Sequence, residues 1–236
     1  MATTLVDELI QKLGQMPRHR ARRVVTRSGW RVRGITPPLR FQAPLSWESD
    51  IEHRLIYRLL TSWQTTDACT QSVRLAIPAL TSDSPATIDY TPDALTKDRA
   101  GALTCIECKP AAQLADPELR RRHRDIKLFL NSCGVRFVEV TDLDLADAIP
   151  HENAKQLMRG VQFYGVNACT AALRDQVAPR LPCSLDALIA HVGLGPARAA
   201  LFFGFGYFDM HRPLIGSTQI STHCEDHFDA AHFIYA

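Results

Sequence analysis

The segment TIDYTPDALTKDRAGALTCIECKP, residues 87–110, decides the fold class of this 236-residue chain. Residues 87–95 are predicted to form one strand, 98–101 a turn and 102–108 the next strand, which together make a β-hairpin. Because residues i and i+2 of a strand point to the same face, Glu107 and Lys109 are expected to project together. The hairpin brings Asp93 alongside them.

Two carboxylates beside a lysine suit a hard divalent cation. Mg²⁺ prefers oxygen ligands and keeps waters that face substrate phosphates, and Mn²⁺ is expected to substitute for it. The carbonyl oxygen of Cys108 faces the same cation in this interpretation. Lys109 is expected to orient or deprotonate an attacking water, or to stabilise a phosphate in its transition state.

A third acid lies on a predicted helix before the hairpin. Apolar residues at helical spacing predict this helix over 47–63, with Ser46 or Ser49 as its N-cap. Glu52 shares the apolar face, where a carboxylate needs a partner. It is interpreted as a metal ligand, as one half of an ion pair with Arg54 or Arg58, or as an exposed side chain.

The residues that follow complete an α/β pattern. Residues 73–77 predict another strand, 117–133 a basic helix that begins after Asp116 and ends at Gly134, and 135–140 a buried strand. The helix returns the chain so that the last strand can lie parallel in the sheet. The expected architecture is a mixed sheet flanked by helices.

The C-terminal third has a different pattern. Helices are predicted over 152–160, 167–178 and 184–192, another begins at Pro196, and residues 207–210 and 215–220 are expected to form a small hairpin. A helix, a glycine turn, a helix and a hairpin outline a winged helix-turn-helix. Its second helix, 196–203, carries one charge, which favours packing or a protein partner over groove reading.

Positive charge is concentrated near the N-terminus. Between Glu8 and Glu48 there is no acidic residue but nine basic ones: Lys12, Arg18, Arg20, Arg22, Arg23, Arg27, Arg31, Arg33 and Arg40. Residues 146–236 carry a formal charge of −2, against +4 for the rest of the chain. An arginine-rich arm indicates a polyanion partner such as nucleic acid, or otherwise a solvated tail.

Composition excludes several protein classes. With 46% apolar and 22% charged residues, the chain is predicted to be globular rather than disordered. No apolar stretch approaches the length of a transmembrane helix, and the N-terminus lacks the apolar region of a secretory signal. Seven cysteines without such a signal favour free thiols and a cytoplasmic location.

The hairpin motif resembles that of a known nuclease group. An Asp followed after 13 residues by Glu-x-Lys is similar to the PD-(D/E)xK motif of the restriction-endonuclease-like fold. The surrounding sequence, over about residues 46–145, resembles the TnsA family, the endonuclease subunit of heteromeric transposases. The resemblance rests on Ser49–Glu52, Gln71 opening a strand, Tyr90–Asp93, Glu107–Leu114 and Phe137–Asp142.

This resemblance implies a function and a set of residues. TnsA-like proteins cut DNA at the 5′ ends of a transposon, while a TnsB-like transposase cuts the 3′ ends and a TnsC-like ATPase regulates the complex. The family's catalytic positions fall on Glu52, Asp93 and Lys109, and Glu107 stands where some members have glutamine. We therefore expect catalysis by these four residues and cation binding by Glu52, Asp93, Glu107 and Cys108.

Charge distribution, element pattern and resemblance together predict three parts of the chain: an Arg-rich arm (1–44), a PD-(D/E)xK nuclease domain (45–145) and a winged-helix-like domain (146–236). Double-stranded DNA at transposon ends is the expected partner, in a bacterial cytoplasm and at the nucleoid during activity. The alternatives are a stand-alone restriction or repair nuclease and a catalytically silent DNA-binding adaptor. The residues expected to bind DNA are Arg18, Arg20, Arg22, Arg23, Arg27, Arg31, Arg33, Arg120, Arg121 and Arg124.

Overall fold

The computed structural model describes residues 9–17, 33–80, 87–164 and 171–236. These residues divide into two compact units. The first draws its described residues from Met1–His53 and Thr65–Ala146, and the second from Arg54–Gln64 and Asp147–Ala236. Among the predicted DNA-binding residues, the following lie outside the described residues: Arg18, Arg20, Arg22, Arg23, Arg27 and Arg31.

A four-stranded mixed sheet forms the centre of the first unit. Its strand order is β3 (Thr65–Thr70), β6 (Ala94–Asp98), β7 (Leu103–Cys108) and β8 (Arg136–Val140). The first three strands are antiparallel, whereas β7 and β8 are parallel, as predicted for the strand after the basic helix. All six residues of β7 are buried, so the strand that carries Glu107 lies at the centre of the unit.

The predicted strand 87–95 is wrong, because the chain forms two strands there. β5 (Thr87–Tyr90) pairs with β4 (Leu75–Pro78), which leaves β6 as the partner of β7. Pro92 lies in the break and has no N–H to donate to a ladder. Asp93 is therefore placed on the connection between two strands instead of within one.

β3 was not predicted, because its sequence TTDACT lacks an apolar alternation. The expectation that Gln71 opens a strand is also wrong. Gln71 follows β3 and has a left-handed backbone with a φ of +48°. Beside this sheet, β1 (Gly34–Ile35) pairs with β2 (Ser46–Trp47) in a short antiparallel ladder.

Helices flank the sheet, as predicted. α1, of which residues 9–14 are described, and α3 (Pro117–Ser132) contribute Leu13, Ile126 and Leu130 to a core that also contains Cys105 and Phe137 of the sheet. Asp116 caps α3 by accepting the N–H of Glu118, and Gly134 ends the turn after it with a φ of +73°.

α2 spans Asp50–Thr61, a shorter range than the predicted 47–63. Ser49 caps it, since its hydroxyl accepts the N–H of Glu52, whereas the other expected cap, Ser46, lies in β2. The first turn of α2 belongs to the first unit and residues 54–61 to the second. A short 3-10 helix, Ala111–Ala115, follows β7 in the first unit.

Helices dominate the second unit: α4 (Ile149–Tyr164), α5 (Ala171–Val177), α6 (Leu185–Val192), α7 (Leu194–Phe202) and α8 (His232–Tyr235). Ser184 caps α6 as predicted. α7 begins at Leu194, so Pro196 is not its first residue. A Cβ at Gly160 would clash with Cβ of Arg198, which shows how closely α4 approaches α7.

The predicted hairpin of this unit is wrong. β10 (Gln219–Ile220) pairs with β9 (Cys183–Ser184), and residues 207–210 contribute only an isolated bridge between Tyr207 and Ser221. The two expected arms are therefore not partners of one another. Short 3-10 helices lie at Ala178–Arg180 and Asp226–Phe228.

No single helix among the described residues is long and apolar enough to cross a membrane, and only the bent pair α6–α7 reaches that length and composition. The six described cysteines are free thiols: Cys69, Cys105, Cys108, Cys133, Cys183 and Cys224.

Candidate active site

Asp93 is held where β6 begins, beside the end of β7. Its Oδ2 accepts the backbone N–H of Cys108 at 2.8 Å, and its carbonyl oxygen accepts the N–H of Gln71 at 3.3 Å. These bonds tie the connection before β6 to the strand on one side and to the end of β3 on the other. The carboxylate is thus fixed by the sheet itself.

Glu107 and Lys109 project together from the end of β7, as their spacing predicts. Nζ of Lys109 lies 2.6 Å from Oε1 of Glu107 and 3.3 Å from the carbonyl oxygen of Cys108. The backbone N–H of Lys109 donates to the carbonyl of Val140, which anchors the lysine to β8. Because both side chains are largely shielded from solvent, the Coulomb attraction between them is screened less than in a surface pair, although each charge also loses hydration.

Glu52 takes part in the cap of its own helix. Its Oε1 accepts the hydroxyl of Ser49 and its Oε2 the backbone N–H of Glu48, each at 2.9 Å. These bonds resemble the reciprocal bonds of a capping box. Arg58, one of the ion-pair partners considered, donates instead to the carbonyl oxygens of Asp147 and Ala230.

One cleft brings most of the predicted residues together. Glu52, Gln71, Asp93, Cys108 and Lys109 line a cavity of about 460 Å³, here named the acidic cleft. Helix α2, the end of β3, the connection before β6 and the end of β7 each contribute to its wall. Residues far apart in the sequence therefore face one space.

A second cavity, of about 440 Å³, lies against α3 and is here named the α3 pocket. Asp93 and Lys109 line both cavities, and the α3 pocket adds Glu107, Arg122 and His123. Lys109 and Asp93 therefore lie between the acidic cleft and the α3 pocket and line both.

Burial and the negative charge of Asp93 raise the pKa of the carboxylates near it. Burial, and then the charge of Asp93, raise the pKa of Glu107 to about 7, although Lys109 opposes the shift. Burial and the same aspartate also raise the pKa of Glu52. Burial alone would lower the pKa of Lys109, but the charge of the nearby carboxylates outweighs burial, and the net pKa is raised. Lys109 is therefore positively charged.

The residues at this site fit a divalent cation, although within the described ranges no three His, Cys, Asp or Glu side chains are already arranged as ligands. Oε2 of Glu107 is buried and has no hydrogen-bond partner among the described residues. A buried anionic oxygen without a partner is costly, and a hard cation would satisfy it. Asp93, Glu107, Glu52 and the Cys108 carbonyl are the groups able to hold such an ion.

The predicted basic residues of α3 are on the surface. Arg120, Arg121 and Arg124 are exposed, and Arg121 lies 3.9 Å from Glu118. Arg33 is exposed as well. Arg120, Arg121 and Arg124 do not line the α3 pocket.

Arg122, which was not among the predicted residues, does line the α3 pocket, and its guanidinium donates to the carbonyl of Asp89 at 2.7 Å. His123 beside it is buried and hydrogen-bonds to Glu139. The helical spacing of His123, Ile126 and Leu130 would have indicated which arginine lies beside the buried stripe.

The chain matches no protein-family model, and no curated protein matches it significantly. The resemblance to the TnsA family therefore rests on the motifs quoted above.

Proposed function

We propose that the chain is a Mg²⁺-dependent DNA endonuclease, the TnsA-like subunit of a heteromeric cut-and-paste transposase. The observation that carries the proposal is the convergence of Glu52, Asp93 and Lys109 on one cleft, with Glu107 bonded to the lysine. Three carboxylates beside a lysine are suited to metal-assisted phosphodiester hydrolysis.

The arrangement of elements supports the same proposal. A helix supplies Glu52, the connection before β6 supplies Asp93, the antiparallel partner β7 supplies Glu107, and a helix then leads to a parallel strand. This order is the one expected of a restriction-endonuclease-like domain. A winged-helix-like role for the second unit rests on the α6–α7 pair alone, because the expected hairpin is absent from the described residues.

The residues take distinct roles in this proposal. A bound Mg²⁺ would polarise the scissile phosphate and lower the pKa of a water. Asp93, Glu107, Glu52 and the Cys108 carbonyl would hold the ion. Lys109 stays protonated because its pKa is raised, so it donates hydrogen bonds to the water or the phosphate and does not act as a base.

The proposed partners follow from charge and from the family resemblance. Double-stranded DNA would bind the exposed arginines of α3 and the N-terminal arm through its phosphates. A TnsB-like transposase and a TnsC-like ATPase would assemble with the chain on transposon ends.

Cleavage of labelled transposon-end duplex and supercoiled plasmid tests the proposal, with Mg²⁺ or EDTA and with or without a TnsB-like transposase. We expect Mg²⁺-dependent cutting at the 5′ end that requires the transposase. Efficient cutting by the chain alone would favour an independent restriction or repair nuclease. DNA binding without cutting in any mixture would contradict an enzyme and favour an adaptor.

A further inference from the structure

Gln71 is placed at the acidic cleft by an uncommon backbone. It follows β3 with a φ of +48°, a conformation that residues other than glycine rarely adopt. Its N–H donates to the carbonyl of Asp93, the residue at the centre of the site. The backbone is therefore held in an uncommon form at a residue that lines the cleft.

The amide oxygen of Gln71 has no hydrogen-bond partner among the residues that the structure describes. The residue is 6% exposed, and its Oε1 is fully buried without a hydrogen bond to any residue that the structure describes. Oε1 of Glu48, which lines the same cleft, is buried and equally unsatisfied within the described ranges. Buried polar atoms are almost always paired, so two such oxygens in one cleft indicate a missing donor.

We propose that Gln71, together with Glu48, binds the water shell of the cation held at Glu52 and Asp93. Both orphaned atoms are acceptors, and a metal-bound water is a pure donor because its lone pair faces the ion. Mg²⁺ keeps several of its waters when it binds through one or two carboxylates. This inference rests on the cation site of the proposed function and adds outer ligands to it.

The acceptor character of the two oxygens also argues against direct contact with DNA phosphate. Phosphate oxygens accept hydrogen bonds, so they cannot satisfy Oε1 of Gln71 or of Glu48. Only a donor suits both atoms, and metal-bound water supplies donors next to Glu52 and Asp93. Outer ligands of this kind typically change metal affinity by about 10–100-fold when they are lost.

The test compares Gln71→Met with Gln113→Leu. Methionine keeps the length of the side chain but removes the amide, and Gln113 is an exposed residue of the same cleft. The measurements are the metal-free Tm and the Mn²⁺ affinity by titration calorimetry. We expect Gln71→Met to raise the metal-free Tm by about 2–4 °C, because it removes an unsatisfied buried group.

The same variant is expected to weaken Mn²⁺ binding about tenfold or more. Gln113→Leu should change neither quantity. A purely structural glutamine would give the opposite pattern, a lower Tm with unchanged Mn²⁺ affinity, and that result would overturn the inference. If Gln71→Met does not fold, Gln71→Asn withdraws the amide by one carbon and is expected to weaken Mn²⁺ binding in the same way; wild-type affinity there would also overturn it.

Failure of this inference can be distinguished from failure of the proposed function. One outcome is that the wild type binds Mn²⁺ through Asp93 and Gln71→Met weakens this binding, but the chain cuts no DNA. That outcome would support the water-shell role and contradict the endonuclease. A chain that cuts DNA with Mg²⁺ and is unaffected in Mn²⁺ affinity by Gln71→Met would support the endonuclease and overturn the role of Gln71. Absence of Mn²⁺ binding to the wild type would overturn the water-shell role.

Discussion

Asp93 has one carboxylate oxygen committed to the fold, through the N–H of Cys108, and it raises the pKa of both Glu52 and Glu107. Asparagine at this position keeps an acceptor for that N–H but removes the charge. We therefore expect Asp93→Asn to fold and to lose DNA cleavage by at least about 100-fold, since a cation ligand is lost. Single-turnover cleavage of end duplex measures this loss.

Lys109→Ala is the companion variant, because it removes the only lysine contact that Glu107 shows in the described residues. It should also abolish cleavage while the circular dichroism spectrum stays that of the wild type. Cleavage retained in either Asp93→Asn or Lys109→Ala would remove these residues from the active site.

Glu107 makes the stability of the metal-free chain depend on pH. Its pKa is about 7 in the folded chain, against an ordinary value of 4.5. Between these pH values the folded state holds the proton that the unfolded state has released, so its contribution to stability falls as pH rises. We expect Glu107→Gln, which cannot ionise, to gain in Tm relative to the wild type between about pH 5 and pH 8.

Thermal melts of both chains in EDTA across this range measure the difference. Comparing the two chains cancels the other titrating groups, because these are common to both. A constant difference in Tm would contradict the raised pKa.

At the scale of elements, the exposed arginines of α3 differ in whether they line the α3 pocket. Arg121 and Arg122 are both exposed, but Arg122 lines the pocket with Asp93, Glu107 and Lys109, whereas Arg121 lies beside Glu118. A DNA phosphate next to the scissile bond would meet Arg122 first. We expect Arg122→Ala to weaken binding of double-stranded DNA at all sequences and to reduce the salt slope of binding by about 1.

Arg121→Ala is the matched control, since it removes the same charge one residue away on the same helix. Fluorescence anisotropy at several salt concentrations compares the two variants. Equal losses would show that α3 contributes only general positive charge and that the pocket position of Arg122 is irrelevant.

The sequence predicted those elements whose signals are local. α3 was found because Asp116 and Gly134 mark its ends, and β8 because of its apolar, β-branched run, although only Phe137 and Val140 of that strand are buried. The strand 87–95 was predicted too long because the prediction did not end it at Pro92, where the chain passes from β5 to β6. Which strand each half pairs with is decided by β4, a contact that local patterns do not encode.

The residues of the candidate site that have a local sequence signal were likewise predicted. The spacing of Glu107 and Lys109 places them on one face of a strand, and the ion pair in the structure agrees. Gln71 and Arg122 enter the site through a left-handed backbone and through the packing of α3 against the sheet. The left-handed backbone of Gln71 has no local sequence signal, whereas the helical spacing of the buried residues of α3 would have indicated Arg122.

At the scale of the whole molecule, the second unit depends on a segment that precedes the sheet. Asp229 is 1% exposed, and its Oδ2 accepts the hydroxyl of Ser62 and the backbone N–H groups of Trp63 and Gln64. Arg58 donates to two carbonyls of the same unit. Residues 54–64 are thus part of the unit that the sequence assigned to 146–236 alone.

A fragment of residues 146–236 is therefore expected not to fold by itself. Without residues 54–64, the carboxylate of Asp229 would stay buried without three of its donors, and each unsatisfied bond costs about 1–3 kcal/mol. Because a domain is stable by only about 5–15 kcal/mol, losses of this size remove most of its stability. The amide spectrum of the fragment should lack dispersion, and its thermal melt should lack a cooperative transition.

In the full chain, Asp229→Ala tests the same contacts without removing any segment, and it should lower the free energy of unfolding by roughly 3 kcal/mol. Asp226→Ala is the control, because its Oδ1 accepts only the exposed amide of Gln64 and lies three residues away. A cooperative melt of the 146–236 fragment, together with a wild-type Tm for Asp229→Ala, would show that this unit is stable without the residues 54–64. The C-terminal part would then fold as the separate domain that the sequence pattern predicts.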